Sequence, residues 1–276
     1  MLEWLIEPLT FSFVVRGLIA GLLAGVACAT LSAFVVWRGM AFVGDALAHS
    51  ILPGIVVAYA LGISLFFGAL GAAVLAVAGI GLFSRRGELR EDTAIGVIFA
   101  GFFALGIFLL SRIVSYQDLG HILFGNILGV ATGDLIAMAV VVVLVLVGVA
   151  IAFKELLVTS FDPSHAVAIG LSPELLRYGL LLLLALTTVV AIQTVGVVLV
   201  MALLVTPAAA ASMLSRSMGR IMGLSVFFSV VATVTGFYAS YYWNVASGSA
   251  IVLTLTAMFL ISWVLGSITR RRGYST

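Results

Sequence analysis

The sequence predicts an all-α, polytopic integral membrane protein, and three observations predict it. Apolar residues make up 63% of the 276 residues, charged residues only 9%, and the mean hydropathy is +1.32. Soluble domains run at about 45–50% apolar and about 25% charged. The apolar residues gather into runs near the length of about 20 residues that crosses a hydrocarbon core of about 30 Å. The few charges fall between those runs. A soluble chain needs a polar exterior, so lipid must be the solvent for most of this surface. The chain, 1–276, is expected to be a single transmembrane domain.

Runs bounded by charges or turn residues lie at 14–36, 40–60, 64–83, 93–111, 133–153, 176–194, 195–213, 221–242 and 250–268. That is nine candidate spans. The sixth and seventh are parted only by Gln193, Thr194 and Gly196, but 176–213 is too long for one helix across the core, so a turn is expected at this polar break. Arginine and lysine then set orientation, since cytoplasmic loops carry the positive excess. Arg38, the Arg85–Arg86–Arg90 loop, Lys154, Arg216 with Arg220, and Arg270–Arg271–Arg272 all fall on one side if the amino end is outside. Arg16 and Arg112 are the exceptions. Eight spans with both ends inside would put the Arg85 loop on the wrong face, so nine is preferred.

Two cytoplasmic loops are expected to exceed a turn: 161–178, and 206–223, which is rich in small residues and helix-prone after Pro207. On the outer side, 118–130 reads as a short half-buried helix or re-entrant segment. No removable signal peptide is expected, because no cleavage site closely followed by a polar mature domain ends the first span.

Composition also excludes chemistry. Lys154 is the only lysine and follows Phe153, so no G-x-x-x-x-G-K-[ST] phosphate loop exists here. The lone Cys28 permits neither a disulfide framework nor a thiolate metal cluster; it and the eight methionines read as packing. The arginines sit at span ends rather than in a patch, and no nucleic-acid partner is expected. H-E-x-x-H is absent, which leaves an intramembrane enzyme without a motif.

The informative segment is GMAFVGDALAHSILPG, residues 39–54. Asp45 and His49, at i and i+4, share a helix face inside the second span. An ionised group at membrane depth costs about 2.5–3.5 kcal/mol even on the lenient insertion scale, so such residues are usually functional. One reading is a mutual Asp–His bond that ties helices together. The other is a ligand pair, an oxygen and an imidazole nitrogen suited to a divalent first-row metal. Two ligands are few, and a two-fold axis beside this helix would supply the pair twice; symmetric dimers are the commonest assembly. Gly44, Ala46, Ala48 and Gly54 would give the small-residue surface for that close approach, and Pro53 would break the helix just after the site.

Together, GDALAHSILPG, TAIGVIFAGFFALGIFL (93–109), DLGHILFGNILGV (118–130), QTVGVVLVMALLVTPAAAA (193–211) and NVASGSAIVLT (244–254) resemble the membrane permease of the manganese/zinc/iron ABC importers, in order and over nearly the whole chain. The resemblance implies a type II ABC-importer-like permease in the bacterial inner membrane. It would be a homodimer coupled to a cytoplasmic ABC ATPase dimer and fed by an extracytoplasmic metal-binding solute-binding protein. ATP hydrolysis would lie on that separate subunit, and no permanent cofactor is implied, only a transported ion. The family's in-membrane Asp and His carry over onto Asp45 and His49. The 206–223 loop resembles the coupling segment that docks on the ATPase, through Ala208, Ala209, Ala210, Ala211 and Gly219 or Gly223; the 161–178 loop is its rival, with His165 there as an exposed loop residue. HILFGNILGV and LLVTSFD (156–162) look closer to the manganese/iron branch than to zinc, so manganese is the expected ion and zinc or ferrous iron the alternatives. A secondary transporter using Asp45 and His49 as a proton relay would call for further intramembrane carboxylates.

Asp118 and His121 are either an outer metal relay or an exposed pair capping a helix start. Asn126 and Gln193 are expected to make interhelical hydrogen bonds, and Tyr241, Tyr242 and Trp243 to join an outer aromatic belt.

Overall fold

With no water in the hydrocarbon layer, every backbone N–H and C=O must be satisfied within the protein, which leaves helices for a chain this apolar. The computed structural model describes residues 7–84, 89–112 and 127–272, and among these it has helices and no strand. In chain order they are α1 (Ser12–Trp37), α2 (Val43–Ser50), α3 (Leu52–Leu61), α4 (Leu65–Ser84), α5 (Glu91–Leu110), α6 (Thr132–Phe161), α7 (Pro163–Ala168), α8 (Pro173–Val195), α9 (Val197–Leu214), α10 (Met218–Trp243) and α11 (Ser247–Arg272). Nine spans among the described residues are long and apolar enough to cross a membrane, with α2 and α3 forming one of them.

The helix ends alternate between two faces, as nine passes require. At one end, Phe13, Val195, Val198, Tyr241, Asn244 and Ser247 surround a cavity of about 800 Å³. At the other, the ends of α1 and α6 meet the starts of α5 and α8. The positive-inside rule applied to the sequence expects this second end in the cytoplasm. Trp243 and Tyr242 are exposed at the first end, where the aromatic belt was expected.

Three local breaks shape the bundle. Gly196 stands alone between α8 and α9 at φ 85°, a backbone region that a residue with a Cβ rarely enters, and it realises the expected turn with a single residue. Pro53 lies in the first turn of α3 and cannot donate to the His49 carbonyl one turn back, so the second span divides at Ile51. Pro207, by contrast, does not end its helix. Ser32 of α1 donates its hydroxyl to the Val205 carbonyl at 3.5 Å and accepts the Ala208 N–H at 3.3 Å, backbone contacts from a second helix on either side of the proline.

That continuity corrects the sequence reading of 206–223. α9 runs on to Leu214 and α10 begins at Met218, so the connector is only Ser215–Ser217. The other cytoplasmic connector matches expectation in kind: α6 extends to Phe161, then Asp162 accepts the His165 N–H at 2.9 Å and caps the short α7.

Packing relies on glycine. Gly17, Gly21 and Gly25 make a groove on α1; a Cβ at Gly21 would lie 3.0 Å from Thr233 and one at Gly25 2.5 Å from Ser229, which lets α10 sit at the short range that small residues allow. α1 also packs on α6, α8 and α9 and is the most buried span. α3 and α4 cross glycine on glycine: a Cβ at Gly54 would strike the Gly68 carbonyl oxygen, and one at Gly68 the Gly54 oxygen.

Candidate metal site and its surroundings

α2 is eight residues long and presents Asp45 and His49 on its open side, with side-chain exposures of 30% and 24%. Ala46 and Ala48, on its other faces, are buried. Asp45 Oδ1 lies 3.2 Å from His49 Nε2. Two ligands at about 2.0–2.2 Å from one ion, set near a right angle, stand about 3 Å apart, so this spacing fits one metal held by both. The same geometry serves as a direct hydrogen bond when no metal is present.

His49 is fixed from the side. Its ring packs against Phe99 and Phe103 of α5 at centroid distances of 5.7 and 5.1 Å, and those two rings stack on each other 5.8 Å apart. Its Nδ1 is buried with no hydrogen-bond partner. An imidazole clamped by two apolar rings has few orientations left, and Nε2 is the nitrogen turned to Asp45. The sequence reading quoted 93–109 as a motif but missed these two phenylalanines. The signal was there: they repeat at i and i+4, the same period as Asp45 and His49.

No group of three or more metal-ligating side chains occurs among the described residues. Among the described residues the Asp45–His49 pair therefore stands alone, and two donors do not complete a coordination sphere. Asp118, His121 and Asn126 lie outside the described residues.

The small residues expected to receive a partner helix are occupied within the protomer. A Cβ at Gly44 would meet Leu204 of α9 at 2.8 Å, and Gly54 is taken by Gly68. The open small-residue face is on α5 instead. Gly96, Ala100, Gly101 and Ala104 are exposed, Gly96 and Gly101 have nothing near their Cβ positions, and only 17% of the span's most apolar window is buried, against 72% for α1.

The residues read as a cytoplasmic coupling segment separate into two groups. Ala208, Ala210 and Ala211 are 0–1% exposed inside α9, because α9 continues through them against α1; they present no surface for another subunit. Ala209 is half-buried, while Gly219 and Gly223 are exposed on α10. α7 and the residues after it are accessible: His165 is exposed, and so are Val167 and Ile169, at 61% and 54%. Gln193 is exposed on α8 and Cys28 is buried.

Comparison with known proteins agrees with this architecture. The chain is 42% identical over 254 residues to the manganese transport system membrane protein MntC of Listeria monocytogenes, covering 92% of this chain and 91% of that one. It is 39% identical over 268 residues to a probable iron transport system membrane protein of Haemophilus influenzae, covering 97% and 99%. Among solved structures, PsaBC from Streptococcus pneumoniae in complex with Fab superposes with a TM-score of 0.82 at 39% identity, over 95% of this chain and 94% of that one. An inward-facing putative metal-chelate type ABC transporter shares the fold at a TM-score of 0.69 and 15% identity, over 90% and 84%. The family model described as ABC 3 transport family matches residues 10–266, and the chain belongs to that family.

Proposed function

We propose that this chain is the membrane permease of an ABC importer that carries a divalent transition-metal ion into the cytoplasm, and that Asp45 and His49 bind the ion in transit. The Asp45 Oδ1–His49 Nε2 spacing of 3.2 Å on an open helix face within a span carries the reading. The printed names of the relatives, manganese and iron transport membrane proteins, support the substrate class.

The permease acts as a homodimer. One protomer supplies two donors, and a two-fold axis beside α2 supplies four. α5 packs beside α2 and carries the exposed small-residue face, so a second copy seated there brings the two pairs together at short range. ATP is hydrolysed on a separate cytoplasmic ABC subunit, and α7 with Val167 and Ile169 is the contact for it, in place of the buried alanines of α9. An extracytoplasmic solute-binding protein delivers the ion at the opposite face of the bacterial inner membrane.

Manganese is the proposed cargo, with ferrous iron and zinc as rivals. Carboxylate and imidazole donors hold all three, and affinity alone favours zinc, since manganese stands lowest in the stability order. A manganese importer must then select by rate or by its binding protein, so zinc occupies the permease site and leaves it slowly.

The test uses the complex reconstituted in vesicles with its ATPase and binding protein. Asp45→Ala and His49→Ala should each assemble at wild-type yield, because both side chains stand on the open face of α2 and removing a polar group at membrane depth relieves desolvation. Radiometal uptake and equilibrium metal binding should each fall at least about tenfold, the lower bound for losing even an outer-sphere partner of a metal ligand. Wild-type uptake at matched protein levels refutes the site. Zinc moved faster than manganese refutes the choice of cargo while leaving the site intact.

A further inference from the structure

Four helix ends converge at the cytoplasmic face around a cavity of about 400 Å³, bordered by Trp37, Arg38, Glu91, Ser160, Glu174 and Arg177. Arg38 is the first residue past α1. Its Nε donates to Ser160 Oγ at 3.0 Å and one Nη to Thr159 Oγ1 at 3.3 Å. Beside it, the Trp37 and Phe161 rings lie 4.4 Å apart. Thr159, Ser160 and Phe161 are the last three residues of α6, and Asp162 caps α7. The end of α1 is therefore clasped by two hydrogen bonds and a ring contact to the last turn of α6, which leads through Asp162 directly into α7.

The other side of Arg38 leads to the metal helix. Gly39 turns the chain at φ 71°, and α2 starts at Val43. At its far end α2 stops at the Ile51–Pro53 break. The eight residues bearing Asp45 and His49 thus lie between two interruptions of the helical ladder, packed on α5, α8 and α9 but not rigidly continuous with the helices before and after them. Burial pulls the Arg38 guanidinium below its ordinary value, with Glu91 opposing the shift and Arg177 adding to it. A guanidinium stays charged regardless, and its planar fork fixes two acceptors in one orientation. Arg177 makes a parallel connection across the cavity, donating to Ser84 Oγ at 2.9 Å and the Gly81 carbonyl at 3.0 Å, which anchors α8 to α4 and leaves the Arg38 clasp as the joint leading to α2.

We propose that Arg38 is a positioning residue that transmits displacement of α7 to α2, so that movement of the cytoplasmic helix resets the Asp45–His49 pair. This rests on α7 being the ATPase contact. It deepens the transport reading by naming the joint through which hydrolysis reaches the ion.

The experiment measures metal moved per ATP hydrolysed by the reconstituted complex, alongside ATPase co-purification and equilibrium manganese binding to the permease. For Arg38→Gln, the expected result is a bound ATPase, manganese binding within about twofold of wild type, and a metal-to-ATP ratio reduced roughly tenfold or more, the effect of removing a hydrogen bond to a charged group. Arg38→Lys keeps the charge without the fork and should uncouple nearly as far. Thr159→Val with Ser160→Ala leaves Arg38 in place and removes its acceptors, so it should uncouple in the same way; it decides the matter should Arg38→Gln fail to fold. A wild-type metal-to-ATP ratio in the folded variants overturns the proposal. Failure of the underlying reading looks different: Val167→Asp with Ile169→Asp would then retain the ATPase at full stoichiometry.

Discussion

Substituting Gly54 by alanine adds one methyl group where the structure leaves no space. The new Cβ would overlap the Gly68 carbonyl oxygen and lie 2.7 Å from the Ala72 Cβ, where ordinary contact is 3.4–4 Å. The obstacle is backbone on α4, which no rotamer change moves aside. α3 and α4 must separate, and overpacking of this kind costs about 1–3 kcal/mol. For a chain of this size that is roughly 2–12 °C of apparent melting temperature, at about 2–4 °C per kcal/mol. Gly71→Ala is the matched control: the same chemical change on α4 itself, with nothing within 4 Å of the built Cβ. Thermal unfolding of detergent-solubilised protein, followed by size-exclusion of the surviving permease, should place Gly54→Ala well below Gly71→Ala, and Gly71→Ala at or above wild type. Coincident melting of the two variants refutes the glycine-on-glycine crossing, and with it the placement of α3 behind the metal pair.

Two further outcomes follow from particular contacts. Ala210→Trp forces an indole into a position only 1% exposed, so the yield of folded permease should collapse, measured by size-exclusion; a folded permease that merely releases its ATPase would contradict the burial of α9. Phe103→Leu removes the ring 5.1 Å from His49. Losing an aromatic pair worth about 0.5–1.5 kcal/mol should weaken equilibrium manganese binding about 2–12-fold with the fold intact, and Phe103→Tyr should restore it; unchanged affinity would mean that the ring does not orient the imidazole.

Much of the architecture was legible because lipid imposes one rule on every residue of a span. Nine apolar runs became nine spans among the described residues, and the arginine pattern predicted which helix ends share a face. The Pro53 break and the turn at Gly196 were readable since each depends on a backbone property of a single residue. Pro207 was misleading for a physical reason: whether a proline ends a membrane helix depends on what packs around it, here α1, whose Ser32 is 175 residues away in sequence. The same limit applies to small residues. Gly44, Gly54 and Ala208–Ala211 signal close approach of something, but sequence does not say whether that partner is Leu204, Gly68, α1 or another subunit. Asp45 and His49 stood out as polar residues in an apolar run. Phe99 and Phe103 did not, because an aromatic ring against an imidazole has the same composition as one against lipid.

The Ser32 contact also bears on how the chain is made. α1 leaves the ribosome first, yet the backbone its hydroxyl serves, Val205 and Ala208, is synthesised 173–176 residues later. At about 5–20 residues per second, the first helix waits roughly 9–35 s with its glycine groove unfilled and its Ser32 hydroxyl without these partners, while α10, which fills that groove, arrives later still. During that interval only α6 and α8, which also pack on α1, can cover part of the helix that becomes the most buried element. Assembly is consequently completed from the carboxyl-terminal side: a truncation before α9 leaves an inserted but open bundle, exposing a groove of glycines to every other helix in the membrane and to the proteases that survey it.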